Sequence, residues 1–310
     1  MKISLLRRWF AAVLALALVF SCACAEILDE GAAVSEEQWQ AAVESDDIQE
    51  DTGDWINILL LGCDSYSINE YSRSDSMIIL SVNSKSGEIK MTSLMRDTWI
   101  KVSGHKSRKL TELCAIGGPE LTMQAINENY GTDITRYAQI GMDGIAEIID
   151  LLGGLELDVT EAERKALNKG LFDLSRLSGM EKLQQSGEKV HLNGNQATAY
   201  ARIRKIDSDY VRVERQRTVL MAMAKKIMSG ANASNVISVI DVLLEYVDTN
   251  ISLLELMSLA RVGLSADLEN IQEMRLPADG TYESGMFGNV WCIKPDFKKN
   301  ARLLEEFIYG

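Results

Sequence analysis

The sequence has only two histidines, His105 and His191, and only three prolines in 310 residues. Two isolated histidines exclude a histidine-based metal site, and neither sits in a catalytic constellation. The scarcity of proline excludes a proline-rich linker architecture. Cysteine is also sparse: Cys22 and Cys24 lie in the first 25 residues, and Cys63, Cys114 and Cys292 lie beyond them. No C-x-x-C occurs among those last three, so spacing supports neither a zinc site nor a disulfide framework and leaves their pairing open. A phosphate-cradling G-x-x-x-x-G-K-[ST] loop, a G-x-S-x-G elbow and an H-E-x-x-H helix are all missing. The formal net charge is −13, the wrong sign for a protein built to hold duplex DNA, so no nucleic-acid partner is expected.

What is present begins with "MKISLLRRWFAAVLALALVFSCACA", residues 1–25. Lys2, Arg7 and Arg8 precede an apolar run from Trp9 to Phe20, and Ala23-Cys24-Ala25 reads as a cleavage site. A cleaved signal peptide, a retained signal-anchor and lipidation at Cys22 are three forms of one expectation: the rest of the chain is exported. Residues 26–54 are rich in Asp and Glu and contain no Lys or Arg. Such a block repels itself and reads as an extended acidic tether. Residues 55–310 are then the folded domain.

In that domain "WINILLLG" (55–62) has the continuous apolar pattern of a strand buried on both faces. "SMIILSVN" (76–83) and "EIKMTSL" (88–94) read as a hairpin turning at Gly87. A helix is expected over 117–131, with Pro119 in its first turn and Gly131 at its end. A second, capped by Asp143, carries Ile145, Ile148, Ile149 and Leu152 on one face and stops at Gly153-Gly154. "YAQIG" and "LELDV" read as strands, and Asn193 with Gln196 as a capping box. A long helix follows over 211–228, more helix over 233–264, then late strands and a C-terminal helix. Strands alternating with helices predict an α/β domain, a three-layer α/β/α sandwich with a central mixed sheet.

Polar clusters sit at the strand ends: Asp64 past the first strand, Arg73 and Asp75 before the second, and Arg96 and Asp97 after its hairpin partner. A hairpin returns its chain to the same end, so Asp75 and Arg96 are expected to converge, with Asp64 joining if the first strand lies alongside. Two carboxylates with little other ligand chemistry suit Mg²⁺, which takes one or two carboxylates plus waters and phosphate oxygens. The same residues also make ordinary surface turns. The most specific stretch is "RIRKIDSDYVRVERQR", residues 202–217, with five arginines. Arg202 and Arg204 share a face if extended, and Arg212, Arg215 and Gln216 share one on a helix. Arginine forks grip phosphate oxygens bidentately, although a solvated face with local ion pairs has a similar pattern. Arg217 falls off the shared face and is expected to lie outside the site.

In order, "NILLLGCDS", "RSDSMIILSVN", "MTSLMRDTWI", "KLTELCAIGGPELTMQAINENYG", "IIDLLGGLELDV", "HLNGNQATAYARIRK" and "DYVRVERQRTVL" resemble the LytR-CpsA-Psr family of extracytoplasmic cell-wall enzymes, over about residues 55–230. The resemblance implies a phosphotransferase that moves a glycopolymer from a polyprenyl-pyrophosphate carrier onto a peptidoglycan acceptor at the outer face of the cytoplasmic membrane. It implies that Asp64 and Asp75 match carboxylates associated with Mg²⁺. Arg73, Arg96, Arg202, Arg204, Arg212, Arg215 and Gln216 then match positions lining the pyrophosphate, Asp75 and Arg96 are catalytic, and Asp97 orients. Departures are Ser65-Tyr66 where the family often has Arg, Met95 for Pro, "KLT" for K-I-N and Val211 for Gly. The alternatives are a lipid pyrophosphatase and a wall protein that binds the carrier without turnover.

Overall fold

The computed structural model describes residues 54–64, 71–173, 181–204, 206–230, 246–252, 255, 259 and 271–310. The expected export segment, nearly all of the acidic tether and most of the helix expected over 233–264 lie outside the described residues. Among the described residues, no helix is long and apolar enough to cross a membrane.

Strand β1 (Trp55–Cys63) pairs antiparallel with β2 (Ser74–Asn83), which pairs antiparallel with β3 (Ile89–Leu94). The turn between β2 and β3 is held by Asn83, whose Oδ1 accepts from the Ser86 N–H at 2.8 Å, and Gly87 adopts φ 71° there. Two short strands, β4 (Trp99–Ile100) and β5 (Arg108–Lys109), pair beside it. The first helix, α1 (Cys114–Tyr130), is broken at Gly117-Gly118, and Gly118 takes φ 69°. The unbroken helix therefore starts at Pro119, where a missing N–H costs nothing, and Gly131 caps its end at φ 69°.

Strand β6 (Arg136–Ile140) lies parallel to β1. Helix α2 (Met142–Leu151) follows, capped by Gly141 rather than Asp143. Asp143 falls in the first turn, where its charge favours the helix N-terminus without capping it. Strand β7 (Leu155–Val159) pairs with β8 (Gly187–Leu192), and α3 (Glu161–Asp173) lies between them in sequence. Asn193 and Gln196 form the full capping box of α4 (Gly194–Ala201). Next come α5 (Asp209–Gly230), β9 (Val247–Thr249), β10 (Gln272–Leu276), the hairpin β11 (Tyr282–Phe287) with β12 (Val290–Pro295), and α6 (Phe297–Tyr309).

The main sheet has the order β10-β3-β2-β1-β6-β9, with β1·β6 and β10·β3 parallel and its other pairs antiparallel. On one face Leu59, Leu61, Met77 and Ile79 pack with Leu121, Ala125 and Ile126 of α1 and Leu304 and Ile308 of α6. On the other, Ala138 and Val247 pack with Ile148 and Ile149 of α2, Leu167 and Leu171 of α3, Ala197 and Tyr200 of α4, and Val219 and Met223 of α5. Helices on both faces explain why β1 is apolar along its whole length instead of alternating. The domain is the mixed-sheet α/β/α sandwich its pattern predicts.

Candidate active site

The antiparallel β1–β2–β3 meander brings the C-terminal end of β1, the start of β2 and the end of β3 to one end of the sheet. The Asp64 N–H donates to the Arg73 carbonyl at 2.9 Å, joining the first two clusters by backbone. Gly62 pairs with Ser76 but Cys63 with Ser74, leaving Asp75 as the extra residue of a β-bulge. A bulge re-aims one side chain out of the regular alternation, and such kinks recur beside active sites. The Thr111 hydroxyl fixes the bulge by donating to the Ser74 carbonyl at 2.8 Å.

Asp75 is the hub. Its Oδ1 accepts from Arg96 Nη1, and its Oδ2 accepts from Arg204 Nη2 at 2.9 Å. The Gln216 side-chain amide reaches the Asp75 carbonyl at 3.4 Å. Asp64 Oδ1 accepts from Arg202 Nη2 at 3.0 Å. Asp97 sits 2.8 Å from Lys109 and 3.8 Å from Arg96 Nε, so it braces the Arg96 side chain from behind. The Ile293 N–H donates to the Asp97 carbonyl at 3.0 Å, tying β12 to the same loop.

The sequence clusters thus meet in space, with two exceptions in detail. Arg202 is not extended: it is the C-cap of α4, at φ −99° and ψ −1°, so Arg202 and Arg204 reach different aspartates instead of sharing a strand face. Arg215 is taken up elsewhere. It is 4% exposed, and its Nε donates to Glu163 Oε1 at 2.9 Å. Its two Nη atoms pair with the Asp207 carboxylate, and Nη1 also donates to the Ile203 carbonyl at 3.3 Å. Arg212 lies one turn before Gln216 and is 1% exposed, whereas Arg73 is exposed at the rim. Arg217 pairs with Glu273 of β10 at 3.0 Å.

Arg96, Arg202 and Arg204 gathered on two aspartates at a strand end provide fixed forks for phosphate oxygens. A model of the LytR_cpsA_psr family matches residues 26–304. The chain belongs to the LytR_cpsA_psr family. It is 27% identical over 266 residues to the polyisoprenyl-teichoic acid–peptidoglycan teichoic acid transferase TagV of Bacillus subtilis (strain 168), covering 82% of this chain and 64% of TagV. It is 30% identical over 231 residues to the transferase of the same description, TagU, of Bacillus cereus (strain ATCC 14579), covering 73% of this chain and 69% of TagU. The chain therefore spans less than two thirds of the TagV sequence. Among solved structures, TagT bound to LI-WTA superposes with a TM-score of 0.66 at 23% identity, over 86% of this chain and 95% of that one. That likeness establishes the LytR_cpsA_psr fold for this domain.

Three charged residues at or behind the site were not singled out from sequence: Lys109, Asp207 and Glu163. Glu163 had a signal. Thr160-x-x-Glu163 is a capping-box spacing, and Glu163 Oε2 accepts from both the Thr160 N–H at 2.9 Å and its hydroxyl at 2.7 Å. Its other oxygen is thereby aimed at Arg215. Burial pushes the Glu163 carboxyl up, but the Thr160 and Arg215 hydrogen bonds outweigh it and hold the group below its ordinary range.

Proposed function

We propose that this chain transfers a glycopolymer from a polyprenyl-pyrophosphate carrier to peptidoglycan at the outer face of the cytoplasmic membrane. The supporting observation is the convergence of Asp64, Asp75, Arg96, Arg202, Arg204 and Gln216 at one end of the sheet. Relatives in the same family are named for transfer of teichoic acid from a polyisoprenyl carrier to peptidoglycan. The apolar run and basic start of residues 1–25 support the location.

Phosphoryl transfer asks a protein for positioning and charge neutralisation more than for covalent help. In this reading a peptidoglycan hydroxyl attacks the sugar-linked phosphorus and gives its proton to a carboxylate of the site, the bond to the bridging oxygen breaks, and polyprenyl phosphate leaves. Arg96, Arg202 and Arg204 hold the pyrophosphate oxygens in register and offset the charge that grows on the leaving phosphate. Gln216 holds the Asp75 backbone, and Asp97 with Lys109 sets the direction of Arg96. Asp64 and Asp75 supply the kind of donor set that Mg²⁺ takes, since it is ordinarily held by one or two carboxylates with waters and substrate phosphates. Asp64, whose side chain is 44% exposed, and Asp75 would hold it. When bound it would offset the charge of the pyrophosphate.

The test is mass spectrometry of lipid products after incubation with Mg²⁺, peptidoglycan oligomers and a defined polyprenyl-pyrophosphate-linked glycan. Polyprenyl phosphate and glycan-bearing peptidoglycan are expected from the wild type, and neither from folded Asp75→Ala or Arg96→Ala proteins. Wild-type rates in either variant overturn the assignment. Phosphate release without glycan transfer replaces it with hydrolysis.

A further inference from the structure

Cys63 is the last residue of β1 and Cys114 the first of α1, 51 positions apart in sequence, yet their sulfurs lie 3.6 Å apart. Both side chains are buried in the core between the sheet and α1, at 3% and 0% exposure. The separation exceeds a disulfide bond by about 1.5 Å, within the reach of side-chain rotation. Cys292 sits apart, on β12 opposite Gly285. The mechanism above uses none of the three.

We propose that Cys63 and Cys114 form an intramolecular disulfide in the exported protein, leaving Cys292 as the free thiol among the three cysteines of the folded domain. The inference rests on the export part of the functional reading, because extracytoplasmic thiols meet an oxidising surrounding and cytoplasmic ones do not. The bond joins the residue next to Asp64 to the start of α1, so it fastens the strand end that carries one of the two site carboxylates. The Cys114 S–H now donates to Gln139 Oε1 at 3.1 Å. That weak donor is given up when the sulfurs join. The two thiols lose two protons and two electrons to the disulfide of an extracytoplasmic thiol–disulfide oxidant. The oxidant leaves as two thiols, through a mixed disulfide with one of the cysteines.

Geometry also fixes when this happens. With both sulfurs buried, no bulky oxidant reaches them in the finished fold, so the bond forms while β1 and α1 are still closing. The finished bond is shielded from reductants for the same steric reason.

The test uses the full chain carried across the membrane of a bacterial host and purified without reductant. The protein is unfolded in guanidinium with excess iodoacetamide, digested and mapped by mass spectrometry. The expected result is a linked pair of peptides carrying Cys63 and Cys114, separated by reduction, with Cys292 alkylated throughout. Alkylated Cys63 and Cys114 without reduction overturn the proposal, as does a link from either to Cys292 or to a second chain. A second measurement compares Tm of the purified protein with that of protein unfolded, reduced and refolded under reductant, with its thiols left unmodified. A drop on the order of 10 °C is expected for a loop of this length, and an unchanged Tm opposes a bond in the native state. Neither readout involves glycan transfer, so failure here leaves the transferase reading standing, and the converse also holds.

Discussion

Removing the Glu163 carboxylate should destabilise the domain and slow transfer, although Glu163 touches none of Arg96, Arg202 and Arg204, the arginines proposed to hold phosphate. Its partner Arg215 is a buried cation held by Glu163, Asp207 and the Ile203 carbonyl. Ile203 lies between Arg202 and Arg204, which reach Asp64 and Asp75. The clamp therefore fixes the backbone from which two site arginines are projected. Stripping one partner from a buried ion pair costs about 3–5 kcal/mol when the remaining charge is left alone. Here Asp207 remains, with a side chain 23% exposed, so the ionic part of Glu163→Ala should cost about 2 kcal/mol. Losing the capping contact with Thr160 adds about 1 kcal/mol. For a domain of this size about 3 kcal/mol lowers Tm by roughly 6–12 °C.

Glu163→Gln keeps the shape and the hydrogen-bonding oxygen but not the charge, so it should lie between the alanine variant and the wild type. Below the melting range the alanine variant should lose roughly 10–100-fold in kcat/KM, because small displacements of positioning groups are costly in rate. Calorimetry and single-turnover glycan transfer measure the two effects separately. A wild-type Tm in Glu163→Ala would refute the clamp, and a wild-type kcat/KM would refute its link to Arg202 and Arg204. The pH dependence has a definite sign. The folded-state pKa of Glu163 is depressed, so its contribution is present above the ordinary carboxylate value of about 4.3 and lost as pH falls through the folded value. Glu163→Gln should flatten that part of the pH–stability curve.

A Cβ on Gly194 would be driven into the Ala146 carbonyl of α2, where no flexible side chain can give way. Gly194→Ala should therefore cost about 3 kcal/mol or more in chemical denaturation, and a near-neutral effect would contradict the packing of α4 on α2. Arg217→Ala should leave glycan transfer within about twofold of wild type, since Arg217 pairs with Glu273 on β10; a tenfold loss would bring it into the site. Chelating Mg²⁺ should abolish transfer and restoring it should recover the rate, with Asp64→Asn raising the Mg²⁺ concentration needed.

Much of the sheet was legible because its strands are either continuously apolar or closed by a turn with its own chemistry. Asn83 to Gly87 is an example, with the Asn83 side chain and a positive φ at Gly87 doing what the turn demands. Asp75 and Arg96 could be brought together from sequence because a hairpin has only one way to return. The bulge that aims Asp75 could not, since nothing in "RSDSM" shows that Cys63 skips a residue to pair with Ser74. Helix α3 was missed because its surface is charged and its apolar positions are few, so burial of Leu167 and Leu171 is supplied by its neighbours. Cys63 and Cys114 lacked a signal for the same reason: 51 intervening residues encode no local geometry.

The arginine stretch shows where one-dimensional reading stops. Helical spacing correctly places Arg212, Arg215 and Gln216 on neighbouring turns of α5, yet it does not say which anion each meets. That is decided by residues 8 and 52 positions from Arg215, Asp207 and Glu163, which reach it only after α3 and α5 pack. A guanidinium enclosed by two carboxylates and a carbonyl has few donors left for phosphate, whereas Arg202 and Arg204, at 33% and 43% side-chain exposure, remain open to solvent. Burial and counter-charge thus divide one basic run into two tasks. Arg202 and Arg204 face the site, and Arg215 holds in place the peptide that carries them.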